Sequence, residues 1–193
     1  MVLSDSLDEL FDKGMPSGKK SLKFLKTAYD CGAQTLVNRS LTDKLLQNSG
    51  LKFHIGTDDP TMRRIASWLL TNHNDAIETL IPLLWKRRGR EDIKLIGLLL
   101  ANTQGDAWHK FLAIIDDSIP LDLTLEVVEE IKRSGREIPS AEYLKSWNKS
   151  TVQKQNAMLI ATLGMRPDLI ELVESAPKGG DLFERIRNRA LNQ

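Results

Sequence analysis

Residues 75–102 read DAIETLIPLLWKRRGREDIKLIGLLLAN. Apolar side chains recur three and four apart on both sides of Gly89, which is the spacing of one helix face and not of a strand. The stretch therefore reads as two helices, about Asp75 to Arg88 and about Arg90 to Asn102, with Gly89 ending the first. Working outward, the same pattern repeats. Gly105-Asp106 opens a helix to Asp116, and Pro120 precedes one from Leu121 to Ser134 that ends at Gly135. Pro139-Ser140 opens a short helix to Trp147, and Ser150 caps one to Leu163 that ends at Gly164. Pro167-Asp168 opens a helix to Ser175, and Gly179-Gly180 precedes the last, about Asp181 to Leu191. First helices begin near 75, 106, 140 and 167, at spacings of 31, 34 and 27 residues. Two helices every 30 to 40 residues or so is the period of an α-solenoid. The expected fold is all-α: antiparallel helical hairpins stacked in a right-handed, HEAT- or armadillo-like superhelix. An irregular helical bundle is the competing reading.

Toward the N-terminus, Ser6 with Glu9 has capping-box spacing before a short helix. A second helix is expected from about Ser17 to Asp30, stopping at Gly32, and a third from about Ala33 to Asn48, carrying Leu36, Val37, Leu41 and Leu45. Asp59-Pro60 reads as an N-cap with proline at the first helical position, opening a helix through Ile65, Trp68 and Leu69. Residues 1–57 are expected as a helical cap region and 58–193 as the repeats of one α-helical domain, with Lys52 to Asp58 as the boundary.

Composition bounds the function. The chain has 193 residues, 27 Lys and Arg against 26 Asp and Glu, and a net charge of +1, so no global field draws it to nucleic acid or membrane. No apolar run approaches the roughly 20 residues of a membrane span, and no leader is visible, so the expected location is cytoplasmic. Cys31 stands alone and has no internal disulfide partner. His54, His73 and His109 are scattered, and no second histidine lies one turn from His109, so neither a metal nor a cofactor is expected.

Local charge is uneven. Lys86, Arg87, Arg88, Arg90 and Lys94 cluster at one inter-helix turn beside a helix N-terminus, where backbone N–H groups and cations together can hold phosphate. The alternative is a solvated turn that stabilises the negative end of the preceding helix. Arg63 with Arg64, and Arg185, Arg187 and Arg189, form further basic patches. Asp116, Asp117, Asp122, Glu126, Glu129 and Glu130 form an acidic stretch, with Asp122 and Glu126 on one helix face. Carboxylates so placed either share acid–base work or simply favour the positive end of their helix. Trp68, Trp85, Trp108 and Trp147 sit beside apolar residues at helical spacing, as packing residues do.

The segment Leu83-Leu84-Trp85-Lys86-Arg87-Arg88-Gly89-Arg90-Glu91 resembles the leucine–tryptophan and arginine–glutamate pattern of the DNA alkylation repair family, HEAT-like helical glycosylases that remove alkylated purines. Phe111 to Val128 resembles the segment holding that family's catalytic aspartate, and Lys145-Ser146-Trp147 with the helix from Ser150 to Ala161 resembles its next repeat. The likeness covers roughly residues 75 to 163 and implies a HEAT-like fold and DNA contact. Aligned on Val127-Val128, Leu121 stands at the family's tryptophan, Asp122 at its first aspartate and Leu125 at its catalytic one, with Glu126 adjacent. Its arginine falls near Asn156 or Ala157, where Lys154 is the nearest cation.

Two functions are expected in order. The first is a non-enzymatic repeat protein whose concave surface binds DNA through Arg87, Arg88, Arg90, Lys94 and Lys154, or binds a protein. The second is an alkylpurine DNA glycosylase using Asp122 or Glu126, with aromatic support from Trp108 and Trp147. A docking scaffold for a larger assembly is the third.

Overall fold

A computed structural model describes residues 4–33, 50–117, 119 and 121–192, excluding the side chains of Ser4, Asp5 and Asp122. The helix expected over 33–48 lies, after its first residue, outside the described residues. The described chain is all-helical: it holds no strand, only isolated bridges pairing Ala33 with Thr57 and Phe53 with Gly89. It forms two compact units, Met1–Thr103 and Gln104–Gln193.

The first unit contains α1 (Ser4–Asp12), α2 (Lys19–Cys31), α3 (Asp59–Asn72), α4 (Ile77–Arg87) and α5 (Arg90–Asn102). A single 3-10 turn, Asn74–Ala76, leads into α4. Helix α5 is the hub. From Glu91 to Ala101 every residue but Lys94 is buried, because IGLLLA replaces the polar face that a surface helix needs. It packs on α3 and α4. Fully buried Leu25, Tyr29, Ile65, Leu69, Leu84 and Ile96 supply the core around it. Trp68 of α3 stacks on Phe11 of α1, with ring centroids 4.4 Å apart, and on Phe24 of α2 at 5.6 Å, fastening the first two helices to the third.

Several caps fall one or two residues from their expected places. Ser6 lies inside α1, which has already begun at Ser4. Asp58, not Asp59, caps α3: its carboxylate accepts from Thr61 N at 2.7 Å, while its own N–H is tied to Gly32 O and so stays outside the helix. Gly89 does not end α4. That helix closes on Arg88, which takes the left-handed conformation at φ 55°, and Gly89 is extended at φ −75° and starts α5. Glycine is needed there for space, since a Cβ would enter the Phe53 ring. The expected boundary at residue 57 falls inside this unit, because Lys52 N donates to Arg88 O and Arg90 N donates to Phe53 O.

The second unit contains α6 (Ala107–Ile114), α7 (Leu121–Arg133), α8 (Ala141–Trp147), α9 (Thr151–Gly164), α10 (Ile170–Glu174) and α11 (Asp181–Leu191). Its hub is α9, buried continuously from Gln155 to Ala161 and packed on α7, α8, α10 and α11. Expected caps hold here. Asp106 Oδ1 accepts from His109 N, Ser140 Oγ from Tyr143 N, and Ser150 with Gln153 forms a reciprocal capping box. Gly164 is the last residue of α9, and Met165 takes the left-handed position beyond it at φ 47°. No described helix is long and apolar enough to cross a membrane.

Candidate functional site

The basic turn between α4 and α5 is built around carboxylates. Asp92 is the third residue of α5 and is fully buried. Its Oδ2 accepts from Gly89 N at 3.0 Å and from Arg87 Nε at 2.8 Å, and its Oδ1 accepts from Arg87 Nη2 and from the Tyr29 hydroxyl at 3.1 Å. Arg87 Nη1 donates to Leu22 O, and its guanidinium lies 5.2 Å from the Phe53 ring centroid and 5.8 Å from that of Tyr29. Burial works against the Arg87 charge, yet the bonds to Asp92 outweigh it and hold the pKa above its ordinary value. Burial pushes the Asp92 carboxyl up, against the opposing pull of Arg87, the Gly89 N–H and Tyr29. Burial first, and then the Asp92 charge, holds the Tyr29 phenol well above 10.0, so it stays a proton donor to Asp92 and no nucleophile.

Glu91 does parallel work beside it. Its Oε1 accepts from Ile55 N at 3.0 Å and Gly56 N at 2.9 Å, and His54 Nε2 lies 3.7 Å away. One carboxylate thus fixes the segment ahead of α3 to the start of α5, and the other fixes α4 and α2 to it. At the start of α5 the Gly89 N–H is taken by Asp92 and the Arg90 N–H by Phe53 O, which leaves neither for a phosphate. Arg87 is committed to Asp92, and Lys94 is 3.3 Å from Asp59 with only 17 % of its side chain exposed. Arg87 is thus a tie within the fold. Arg88 is half-buried, while Lys86 and Arg90 are exposed.

The expected glycosylase residues lie in the second unit. Asp122 belongs to α7, but its side chain is outside the described residues. Leu125 and Glu126 are half-buried in the same helix, and Glu130 is buried and bonded to Arg133 at 2.7 Å. Asp117 accepts from Ser150 Oγ at 2.6 Å. Trp108 is buried at 3 % exposure and offers no open face for stacking, and Trp147 is half-buried at the end of α8. Lys154 is exposed on α9. Exposed His109 shares a 2.8 Å hydrogen bond with the Tyr143 hydroxyl. The described residues bring together no group of three or more His, Cys, Asp or Glu fit to hold a metal ion.

Sequence reasoning passed over a groove of about 390 Å3 in the second unit. Ala161 and Met165 from the end of α9, Leu169, Ile170 and Val173 around α10, and Ala190 of α11 line it. Met165 is 72 % exposed and Ile170 is 41 % exposed. The one signal in the sequence is an apolar residue, Met165, directly after the glycine that ends α9. Set beside known proteins, the chain matches no family model, no curated protein and no solved structure.

Proposed function

We propose that this chain is a non-enzymatic binding protein whose helical hairpins stack in the HEAT-like manner and whose partner is another protein. The observation that carries this reading is the groove at the end of α9. Among the described residues, Met165, Ile170, Leu182 and Leu191 are the exposed large apolar side chains, and all lie between positions 165 and 191. Concentrated apolar exposure beside a groove marks an interaction surface, whereas scattered single residues do not. The Asp92 carboxylate supports the non-enzymatic part, because the Gly89 N–H, Arg87 and Tyr29 already occupy it. Leu125, which stands where the resemblance to the alkylation repair glycosylases would put their catalytic aspartate, brings no charge.

A photo-crosslinking residue placed at position 165 of the full chain tests this. The crosslinked protein is identified, purified and titrated against the wild-type chain. Saturable binding that is lost in Met165→Asp bears the reading out, and a purified partner that does not bind overturns it. Release of free base from methylated DNA would instead favour the glycosylase reading, with Glu126→Gln as its control.

A DNA-binding reading is the second, favoured by the exposure of Lys86 and Arg90 at the turn between α4 and α5.

A further inference from the structure

The first unit carries a charged surface apart from the groove of the second. We propose that the outer face of α2 binds the phosphate backbone of a nucleic acid through Lys19, Lys23 and Lys26, with Lys52 beside them. The two surfaces lie in different units, so this inference and the protein-partner reading can fail separately.

Helix α2 buries Ser21, Phe24, Leu25, Ala28 and Tyr29 on one side. Lys19, Lys23 and Lys26 recur at i, i+4 and i+7 on the opposite side, along about 10 Å of helix. Lys26 Nζ stands 5.3 Å from the Phe53 ring centroid, and Lys52, the neighbour of Phe53 in the chain, is exposed like the other three. None of these four lysines has a carboxylate partner among the described residues.

The surrounding acids do not cancel the stripe. Asp30 is the one carboxylate of α2 and lies at its far end, a turn beyond Lys26. On α5, Asp92 and Glu91 are buried, the first held by Arg87 and the second by the Ile55 and Gly56 N–H groups. On α3 and its cap, Asp59 is held by Arg63 and Lys94, and Asp58 accepts from Thr61 N. On α1, Asp8 is paired with Arg64, while exposed Glu9 and Asp12 are matched in number by exposed Lys13 and Lys20. Asp75 and Glu78 lie at the opposite end of α4 from Arg87. Arg88 and Arg90 at the adjoining turn add positive charge.

The stripe also works against its own helix. The first turn of α2 holds Lys19 and Lys20 and no acid, Gly18 gives it no side-chain cap, and the last turn holds no cation. Cations at the positive end of a helix, and like charges three and four residues apart, are both unfavourable. A local rule broken on a solvated face points to a task met by an outside anion. The exposed large apolar side chains of the described chain are Met165, Ile170, Leu182 and Leu191, all in the other unit. A bilayer-bound helix needs such side chains to enter the acyl region, and a protein interface needs them at its centre. A phosphate backbone needs only cations, and lysine supplies a point charge that reads no base edge.

The test uses the full chain with Lys86→Ala and Arg90→Ala, which removes the exposed cations of the turn. Tagged DNA and RNA duplexes of about 20 base pairs are titrated by fluorescence anisotropy from about 50 to 200 mM salt. Four lysine contacts predict a slope of log affinity against log salt of about −3 to −4 on DNA, with little dependence on sequence. Adding Lys19→Gln, Lys23→Gln and Lys26→Gln is expected to flatten that slope by about three. The same change in net charge made at exposed Lys132, Lys149 and Lys178 is expected to leave the slope in place. The urea midpoint of the α2 triple variant is expected to hold or rise, since repulsion is relieved; a lower midpoint would make these lysines part of the fold and overturn the proposal. So would no binding of either duplex, a slope indifferent to the α2 lysines, or an equal loss in the second-unit control. Binding to phosphatidylserine vesicles without binding to either duplex would assign the face to a membrane surface and overturn it too. Crosslinking at position 165 that persists in such a case leaves the protein-partner reading standing.

Discussion

Arg87 and Asp92, five positions apart, grip each other across the Arg88-Gly89 turn by two hydrogen bonds, with the carboxylate fully buried and the guanidinium 17 % exposed. The pair locks the end of α4 to the start of α5, and Tyr29 and Leu22 O recruit α2 to the same point. Such a pair is costly to break from one side, because the survivor is left charged and unpaired. Arg87→Met or Asp92→Leu alone is expected to cost about 3–5 kcal/mol, and the two together much less than the sum. Urea unfolding of the four proteins in the cycle measures this. Additive losses would show that the two side chains act independently.

Gly89 and Phe53 interlock at the same turn. A methyl group at position 89 would overlap the Phe53 ring, although the backbone there, at φ −75°, suits any residue. Gly89→Ala is expected to destabilise by about 1–3 kcal/mol through overpacking. In a Phe53→Ala background the same substitution is expected to be nearly neutral. A penalty that survives removal of the ring would place the strain in the backbone.

Glu91 anchors the segment before α3 through the Ile55 and Gly56 N–H groups. Glu91→Ala leaves both donors unpaired, at a cost of about 1–3 kcal/mol. Ile55 is buried, so the loosening is expected to appear locally before the unit unfolds. Amide hydrogen exchange should accelerate at 53–57 while the centre of α5 keeps its protection. Uniform acceleration across the unit would make Glu91 part of the global core.

Asp59 gives the first unit a pH dependence. Partial burial opposes its charge, but hydrogen bonds from Arg63, at 2.6 Å, and Lys94 prevail and hold its pKa below the ordinary 3.8. The folded chain therefore holds the carboxylate more strongly than the unfolded chain does. The stabilisation is complete above the ordinary value and is lost as pH falls through the lowered one. Urea midpoints measured from about pH 6 down to 2 should fall less steeply on the acid side in Asp59→Asn than in wild type. Parallel profiles would show that the two cations stabilise nothing at this position.

The fold was legible where one residue does one job. Ser140, Ser150 and Asp106 have side chains that only need to reach an N–H three residues on, and the sequence places all three correctly. Two adjacent aspartates defeated the same logic. Asp58 is the cap because Gly32 O holds its N–H outside the helix, and that contact spans 26 positions. Gly89 misled for another reason: a glycine between helices suggests a left-handed terminus, yet this one makes room for Phe53 while Arg88 takes the left-handed turn. The site was less legible still. Counting charges along Lys86 to Lys94 gives a basic patch, but Tyr29, Phe53 and Leu22 O, which decide where Arg87 points, come from distant stretches. The groove at Met165 depends on three helices meeting, which no local period records.

Occupancy of the α5 N-terminus also bounds any DNA contact at that turn. Each neutralised phosphate lowers log affinity against log salt by about 0.9 on duplex DNA. The exposed cations at the turn are Lys86 and Arg90, with Arg88 half-buried beside them. Retardation of duplex DNA by way of this turn should therefore carry a slope no steeper than about −3, and Arg90→Ala should flatten it by about one. Arg87→Ala should act differently. It removes the partner of a buried carboxylate, so its effect on DNA should track loss of folded protein and leave the slope of the remaining folded fraction unchanged. A steeper slope, or an Arg87→Ala protein that is fully folded yet weaker on DNA, would return Arg87 to the surface and reinstate the phosphate cradle at the start of α5.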